Sequence, residues 1–477
     1  MKIQILLSLD GRGGVRMIGS PHPHPNPNPN PNPNPNPLPQ GERELALLAF
    51  LRPYIVWCSI SMRRLWPIII LVVALLLPLT ISARENLVVY WGFDINEIKD
   101  PAVLDAIKAF ETKNNISISF VKRSELYTED LHDVYSRLLS SKSAVPDIME
   151  IDGIRVPEFA SMKYIADITK YVPKGELARF FENGVKEVTW EGKLYGYPFF
   201  TAWGLLIYKK DIISKPPDTW DELIRLAQEY QREGLYGYAG QMASYEGFTC
   251  NALEFIWSNG GDPNFSSTND VFSLRDAESL QIMVDIVNKY KLTPPEQLQF
   301  AEFDGIQLLR DEKVIFLRNW PKAMLKLRKL GSPSEFKYGI APIPKGPRGD
   351  KGHSMFGGWT LVINNNSKHV EIAQRLLELL TGEVFQKYVV MHLNHLPALK
   401  SLYEDKDILT MYPWLNDAYP LIANSKLRPR SPYYPEISRI IQGEFHLALE
   451  NKISAREAIE RTNKKLRSFF KTAGKWQ

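Results

Sequence analysis

An α/β architecture, with a largely parallel sheet covered by helices on both faces, is what the sequence predicts, and three observations carry it. From Leu87 to Ile151, strand-like and helix-like segments alternate. A second unit with the same rhythm runs from Leu205 to Ala341, and the pattern starts afresh after Gly358. Repeated β–α alternation sends successive strands the same way through crossover helices, which is how parallel sheets are built.

Each element has a local reason. Leu87–Trp91 is an apolar run of strand length, and Val103, Ile107 and Phe110 share one helical face. Ile116–Phe120 alternates with period two, as a half-buried strand does. Tyr127–Leu139 reads as a helix, and Pro146–Ile151 as a strand that enters a loop at Asp152-Gly153. In the second unit, Leu205–Tyr208 is a strand and Thr219-Trp220-Asp221-Glu222 is a capping box, which places a helix start there. That helix turns Leu223, Ile224 and Ala227 inward and stops near Gly234. Asn251–Ser258 is helical; Val314–Leu317, Tyr338–Ala341 and Trp359–Ile363 are strands; His369–Leu380 is a helix. Glu436–Phe470 is almost entirely helical, with a second capping box at Ser454-Ala455-Arg456-Glu457.

The 477 residues are enough for two or three domains, and 44% apolar with 23% charged residues is ordinary for a globular chain. Residues 1–83 hold seven Lys/Arg and three Asp/Glu, which equals the whole formal excess of +4. The remainder is neutral, so it offers no electrostatic reason to bind nucleic acid. Residues 21–37 alternate Pro with His and Asn, a composition that cannot bury a core. The expected start of translation is Met62, which leaves 1–61 as a non-native or disordered extension with a Pro-Asn repeat. Met62-Arg63-Arg64, the apolar run Ile68–Ile81 and Ser82-Ala83 then form a signal peptide over 62–83. An uncleaved N-terminal anchor is the alternative. Cys58 falls before the mature chain, so Cys250 is left alone, without a disulfide partner or enough thiols for a metal site; it is read as a small buried residue.

Two aromatic phrases point to chemistry. Phe316-Leu317-Arg318-Asn319-Trp320-Pro321 and Phe356-Gly357-Gly358-Trp359-Thr360 each set a tryptophan beside a proline or a glycine pair. Such rings line a groove, with Tyr245 and Tyr434 as further walls, and suit a flat, partly apolar, hydroxyl-rich ligand. A pyranose has a face of C–H groups, and stacking it on an indole is worth roughly 1–2 kcal/mol at ~25 cal/mol per Å². Gly358 would let the backbone come close to the ligand.

The order of these phrases, together with Tyr245-Glu246-Gly247, Trp257-Ser258-Asn259-Gly260-Gly261 and Arg428-Pro429-Arg430-Ser431-Pro432-Tyr433-Tyr434-Pro435, resembles the extracellular solute-binding proteins of ABC importers, trehalose/maltose-binding type. The resemblance covers about Leu87 to Phe470. It implies a type II periplasmic-binding-protein-like fold, two α/β lobes with three hinge crossings, near Pro198–Trp203, Lys351–Phe356 and Pro397–Glu404. Lobe 1 would be 84–199 plus 356–400, and lobe 2 200–352 plus 405–477. It implies a periplasmic or extracytoplasmic monomer that captures a sugar between the lobes and delivers it to membrane permease subunits served by a separate ATPase, with no cofactor. The ligand-binding set is Trp320, Trp359, Gly358, Arg428, Tyr434, Asp152, Glu97, Tyr245 and Trp203. Arg428 is alternatively a residue paired with an acid, Asp152 an N-cap, and Glu246 a helix cap.

Departures from the family pattern narrow the ligand. An Asp that usually grips sugar on the hinge strand is Ala202 here, the Tyr before it is Phe200, and a Tyr after the Arg-Asn-Trp-Pro phrase is Lys322. The Tyr127–Leu139 helix has Leu131-His132 where an Arg is expected. A ligand hydroxyl left unpaired in a buried site costs ~1–3 kcal/mol, so a glycoside other than trehalose is expected. Two rival readings stand beside transport: a sensor that presents sugar to a receptor, and a hydrolase built on a carboxylate pair. The hydrolase lacks an evident pair, and His392 and His395 lack a third metal ligand, so no catalytic or metal residue is expected.

Overall fold

In a computed structural model of the protein, residues 84–123, 128–265, 270–329 and 337–473 are described. The expected extension, signal peptide and Cys58 lie outside them. The strands are β1 (Glu85–Trp91), β2 (Ile116–Lys122), β3 (Ile148–Asp152), the hairpin β4 (Thr189–Trp190) and β5 (Lys193–Leu194), β6 (Gly196–Trp203), β7 (Leu205–Lys209), β8 (Tyr236–Ala239), β9 (Val314–Asn319), β10 (Tyr338–Ala341), β11 (Met355–Ile363), β12 (Leu396–Pro397) and β13 (Lys426–Leu427). They form a seven-stranded sheet in the order β12-β6-β11-β3-β1-β2, with β13 on β11, and a four-stranded sheet in the order β10-β7-β9-β8.

The first sheet is mixed. β1 pairs in parallel with β2 and β3 through the helical crossovers Pro101–Asn114 and Thr128–Ser140. β11 runs against β3 and β6 but in parallel with β13. The reason is the route of the chain: β11 returns to this sheet from the other one, and a returning strand enters from the opposite end. The second sheet is likewise mixed, β7 antiparallel to β9 and β10, β8 parallel to β9.

The chain leaves the first sheet at Gly204, between β6 and β7, and comes back between Ala341 and Met355. The turns and short helices of Lys400–Ala423 bury Leu402, Tyr403, Ile408, Leu415 and Ile422 in a core that also holds Ile207, Leu317 and Tyr338 of the second sheet, and β13 pairs with Met355-Phe356. Tyr434–Leu449 then joins the second core.

The first core gathers Val89, Trp91, Phe199, Leu361 and Leu376 and continues onto Ile207 and Leu317 of the second sheet. The second is built from Trp220, Phe248, Phe255, Phe316 and Phe445, with Trp220 stacked on Phe255 at 3.9 Å between ring centroids. The helix Glu246–Ser258 is buried along all 13 residues, starting five residues before the sequence expectation.

Both capping sites form, each in its own way. The Thr219 hydroxyl accepts the Glu222 N–H at 3.1 Å, while the Glu222 carboxylate takes the N–H of Asp218 rather than of Thr219. Ser454 accepts the Glu457 N–H at 3.1 Å, and the Glu457 carboxylate turns to Arg461. Thr219→Ala should cost about 1 kcal/mol, read as a lower denaturant midpoint with an unchanged slope; an unaltered midpoint would show that the cap is redundant with the Trp220 anchor.

Candidate ligand-binding cleft

Trp359 does not end a strand. It lies mid-way along β11, where the register against β6 slips between Trp359 and Thr360. Directly opposite it are Asp152 on β3 and Phe200 on β6, so the three form a row across the sheet. Side chains opposite one another in antiparallel pairs share a face, which brings these groups together. The half-buried Trp359 ring lies 6.2 Å from Phe200 at 22°, and the Arg123 guanidinium sits 4.3 Å from its centroid. Arg123 is held by Glu150 at 2.9 Å.

Trp320 follows the last residue of β9 and is also half-buried. Its backbone N–H donates to Asn319 Oδ1 at 2.7 Å, its Nε1–H to Glu302 Oε1 at 3.2 Å, and the Arg318 guanidinium lies 4.2 Å from its ring centroid. Tyr245 shares the same acid: burial first, and then the Glu302 charge, raise its hydroxyl well above the usual range. Trp320 and Tyr245 are thus brought together by Glu302.

A short relay joins the two tryptophans. Phe200, beside Trp359, packs on the His395 ring at 4.1 Å. The Lys322 ammonium, two residues past Trp320, donates to His395 Nε2 at 3.4 Å. Burial, with Lys322, Arg123 and Lys326 nearby, holds His395 well below its ordinary value, which leaves Nε2 able to accept. The Lys322 ammonium, just past β9, therefore meets the His395 ring that packs on Phe200 of β6.

Arg428 and Tyr434 are placed differently from the sequence expectation. Arg428 is 5% exposed and Tyr434 fully buried. Arg428 pairs through two nitrogens with Asp152, at 2.9 Å for Nη1–Oδ2, and reaches Glu246 Oε1 at 3.3 Å and Glu187 at 3.8 Å. Tyr434 donates to Glu246 Oε1 at 2.7 Å, and Ser438 to Glu246 Oε2. The Glu246 N–H, at the helix start, donates to Glu129 from the first unit. Here the paired-acid alternative for Arg428 is the observed one: its fork is filled by carboxylates. Asp152 also caps the short turn Gly153–Arg155 through Ile154 N–H at 3.3 Å. Burial alone would raise the Asp152 carboxyl, but the Arg428 charge outweighs it and holds it below the ordinary range.

Three other expectations change. Gly358 is needed by its neighbours, since a Cβ there would lie 2.8 Å from the Phe200 carbonyl and 3.2 Å from Glu187 Oε2. Trp203 is 0% exposed in the first core and presents no face to a ligand. Glu97 is exposed on the turn Ile95–Glu97 beside Lys99, Asp100, Tyr388 and His392, with no contact to the tryptophan row. Arg123, Glu302 and Glu187 were not foreseen; His395 had been weighed only as half of an incomplete metal pair with His392, and Phe200 and Lys322 drew notice as departures. Among the described residues no cluster of His, Cys, Asp or Glu is placed to hold a metal, and no helix is long and apolar enough to cross a membrane.

A family model described as bacterial extracellular solute-binding protein matches residues 105–415. A probable ABC transporter-binding protein of Deinococcus radiodurans is 31% identical over 345 residues, 69% of this chain and 80% of the relative. The maltodextrin-binding protein MdxE of Bacillus subtilis is 23% identical over 366 residues, 73% of this chain and 81% of the relative. Among solved structures, maltose-bound T. maritima MalE3 aligns with a TM-score of 0.72 at 31% identity, over 81% of this chain and all of that one. The chain belongs to the bacterial extracellular solute-binding protein family. Its fold is the type II periplasmic binding architecture.

Burial pushes the Glu187 carboxyl from an ordinary 4.5 up to about 8, against the pull of Arg428 and with the help of the Asp152 charge. Between these two values the folded chain keeps a proton that the unfolded chain has released. Its share of stability is therefore complete below the lower value and is lost as pH rises through the upper one. Glu187→Gln, uncharged throughout, should flatten the melting temperature between about pH 5 and about pH 8.5; a variant that keeps the wild-type slope would refute the assignment.

Proposed function

We propose that this protein is the sugar-capturing component of an ABC importer, located outside the cytoplasmic membrane, which hands its ligand to permease subunits driven by a separate ATPase. The observation that carries the reading is the pair of half-buried indoles, Trp320 from one sheet and Trp359 from the other, joined through Lys322, His395 and Phe200. The names of the relatives support it: a galactooligosaccharide-binding and a maltodextrin-binding protein of Bacillus subtilis, and the maltose-bound T. maritima protein. Under this reading the ligand is a di- or oligosaccharide, or a glycoside, in a cleft between a lobe on the seven-stranded sheet and one on the four-stranded sheet. Contacts to both lobes exist together only when the cleft is shut, so sugar shifts the population toward the closed form.

Trp320 has the stronger case as the stacking ring. Its inner side is taken by Arg318 and its edge by Glu302, which leaves one face for a sugar. Trp359 already has Arg123 and Phe200 as neighbours, so its part is to contribute an edge or a portion of its face. Asp152, Arg428 and Tyr434 act behind the cleft, holding its walls.

A thermal-shift screen over mono-, di- and oligosaccharides tests the assignment, because a ligand that binds only the folded chain raises its melting point. Maltose and maltotriose should raise it; a flat response across the panel would exclude sugar capture. Trp320→Ala should then weaken the best ligand by roughly 1–3 kcal/mol in calorimetry, and undiminished affinity would remove Trp320 from the site.

A further inference from the structure

Beneath Trp320 lies a buried pair that sugar stacking alone leaves without a task. Arg318 and Glu254 are both 0% exposed. Arg318 Nε donates to Glu254 Oε2 at 2.6 Å and Nη2 to Oε1 at 2.7 Å, while Nη1 reaches Gln241 Oε1 at 2.9 Å. The central carbon of the same guanidinium lies over the Trp320 ring, 4.2 Å from its centroid. Glu254 stands in the middle of the wholly buried helix Glu246–Ser258, and its Oε1 accepts a further bond at 2.8 Å from the N–H of Met355, the first residue of β11. The Met355 carbonyl in turn accepts the N–H of Gly204 at 3.0 Å. Gly204 and Met355 lie at two of the points at which the chain passes between the sheets.

The fit at Gly204 shows how close the pair sits to the hinge. A Cβ at that position would lie 1.7 Å from Glu254 Oε1 and 2.6 Å from Arg318 Nη2. No side chain can stand between the crossing strand and the ion pair. A guanidinium–carboxylate fork is planar and directional, so tilting one member carries the other. Neither charge has water to fall back on, so separating the pair even partly is strongly unfavourable.

We propose that Arg318 and Glu254 are positioning residues that link the Trp320 ring to the hinge, so that a ligand settling on the indole and rotation at Gly204 and Met355 are felt through one bidentate pair. The nature of the ligand rests on the sugar-capture reading; the link between indole and hinge does not. A buried pair that merely holds the second lobe together would behave differently: removing the Trp320 ring, which leaves the Asn319–Leu205 backbone pairing in place, would then not disturb Gly204 or Met355.

The test compares wild type with Trp320→Ala, Arg318→Lys and Glu254→Gln, by hydrogen exchange of the peptides carrying the Gly204 and Met355 amides in the ligand-free chain. The helix Trp220–Tyr230 serves as the control for general loosening. Trp320→Ala and Arg318→Lys should speed exchange at both crossings about tenfold, the size of one weakened hydrogen bond, with the control helix unchanged. Wild-type exchange at both crossings in Trp320→Ala, alongside faster exchange in Glu254→Gln, would overturn the proposal and leave the pair a hinge strut without a link to the ring. Should Glu254→Gln not fold, faster exchange in Arg318→Lys serves as that comparison. Small-angle scattering with and without maltose completes the test: Arg318→Lys should lose most of the ligand-induced compaction of wild type while still binding. Compaction equal to wild type would also overturn it. If maltose and maltotriose compact nothing, wild type included, the sugar reading fails and the exchange comparison still decides the link.

Discussion

A guanidinium buried where two sheets approach one another cannot be left unmatched, and Arg428 imposes that condition on everything around it. Removing such a charge from water costs several kcal/mol even after the surroundings relax. The compensation comes from Asp152 at the end of β3 and from Glu246 at the start of a helix, segments nearly a hundred residues apart. Tyr434 and Ser438 complete the shell by donating to Glu246. Meeting these bonds together fixes three chain segments relative to one another. One positive charge cannot satisfy three carboxyl groups, and at the one farthest from it, Glu187 at 3.8 Å, burial outweighs the Arg428 charge and raises the carboxyl to about 8.

The same logic recurs at the two indoles. Each has a guanidinium over one side, at 4.3 Å for Trp359 and 4.2 Å for Trp320, and each guanidinium is anchored by a buried glutamate, Glu150 or Glu254. Cation–π contact holds a ring flat and in place without filling its other face. A site assembled in this way meets its ligand with rings already oriented, so little freedom is lost on binding. Hydroxyl-rich ligands are well served by such a wall, since weak stacking contacts count only if they need not be organised first.

Much of the secondary structure was legible in local pattern. Strands β1, β2, β7 and β10 and the helix after Thr219 lie where apolar runs, period-two alternation and capping residues put them. Strand direction was not legible, because a returning strand carries the same residues whichever way it runs. Chemistry and position coincide at Trp320 beside Pro321, a half-buried ring just past β9. A polar residue has two uses: Arg428 and Tyr434 belong to a motif rich in donors, and only their burial shows that those donors are spent on carboxylates. Gly358 is the same lesson in backbone form, since its missing side chain makes room for Phe200 and Glu187. The relay through His395 was out of reach, because nothing local announces that residues 200, 322 and 395 will meet.

The helix Glu246–Ser258 has no side turned to water. Every position on it is spoken for by Arg428, Arg318, the hinge or the second core, so few substitutions along it are silent. Descendants of this chain that take up a new cargo must therefore diverge around it, at solvent-bordering places such as Lys322, Glu302 and Ala202, while the axle stays the same.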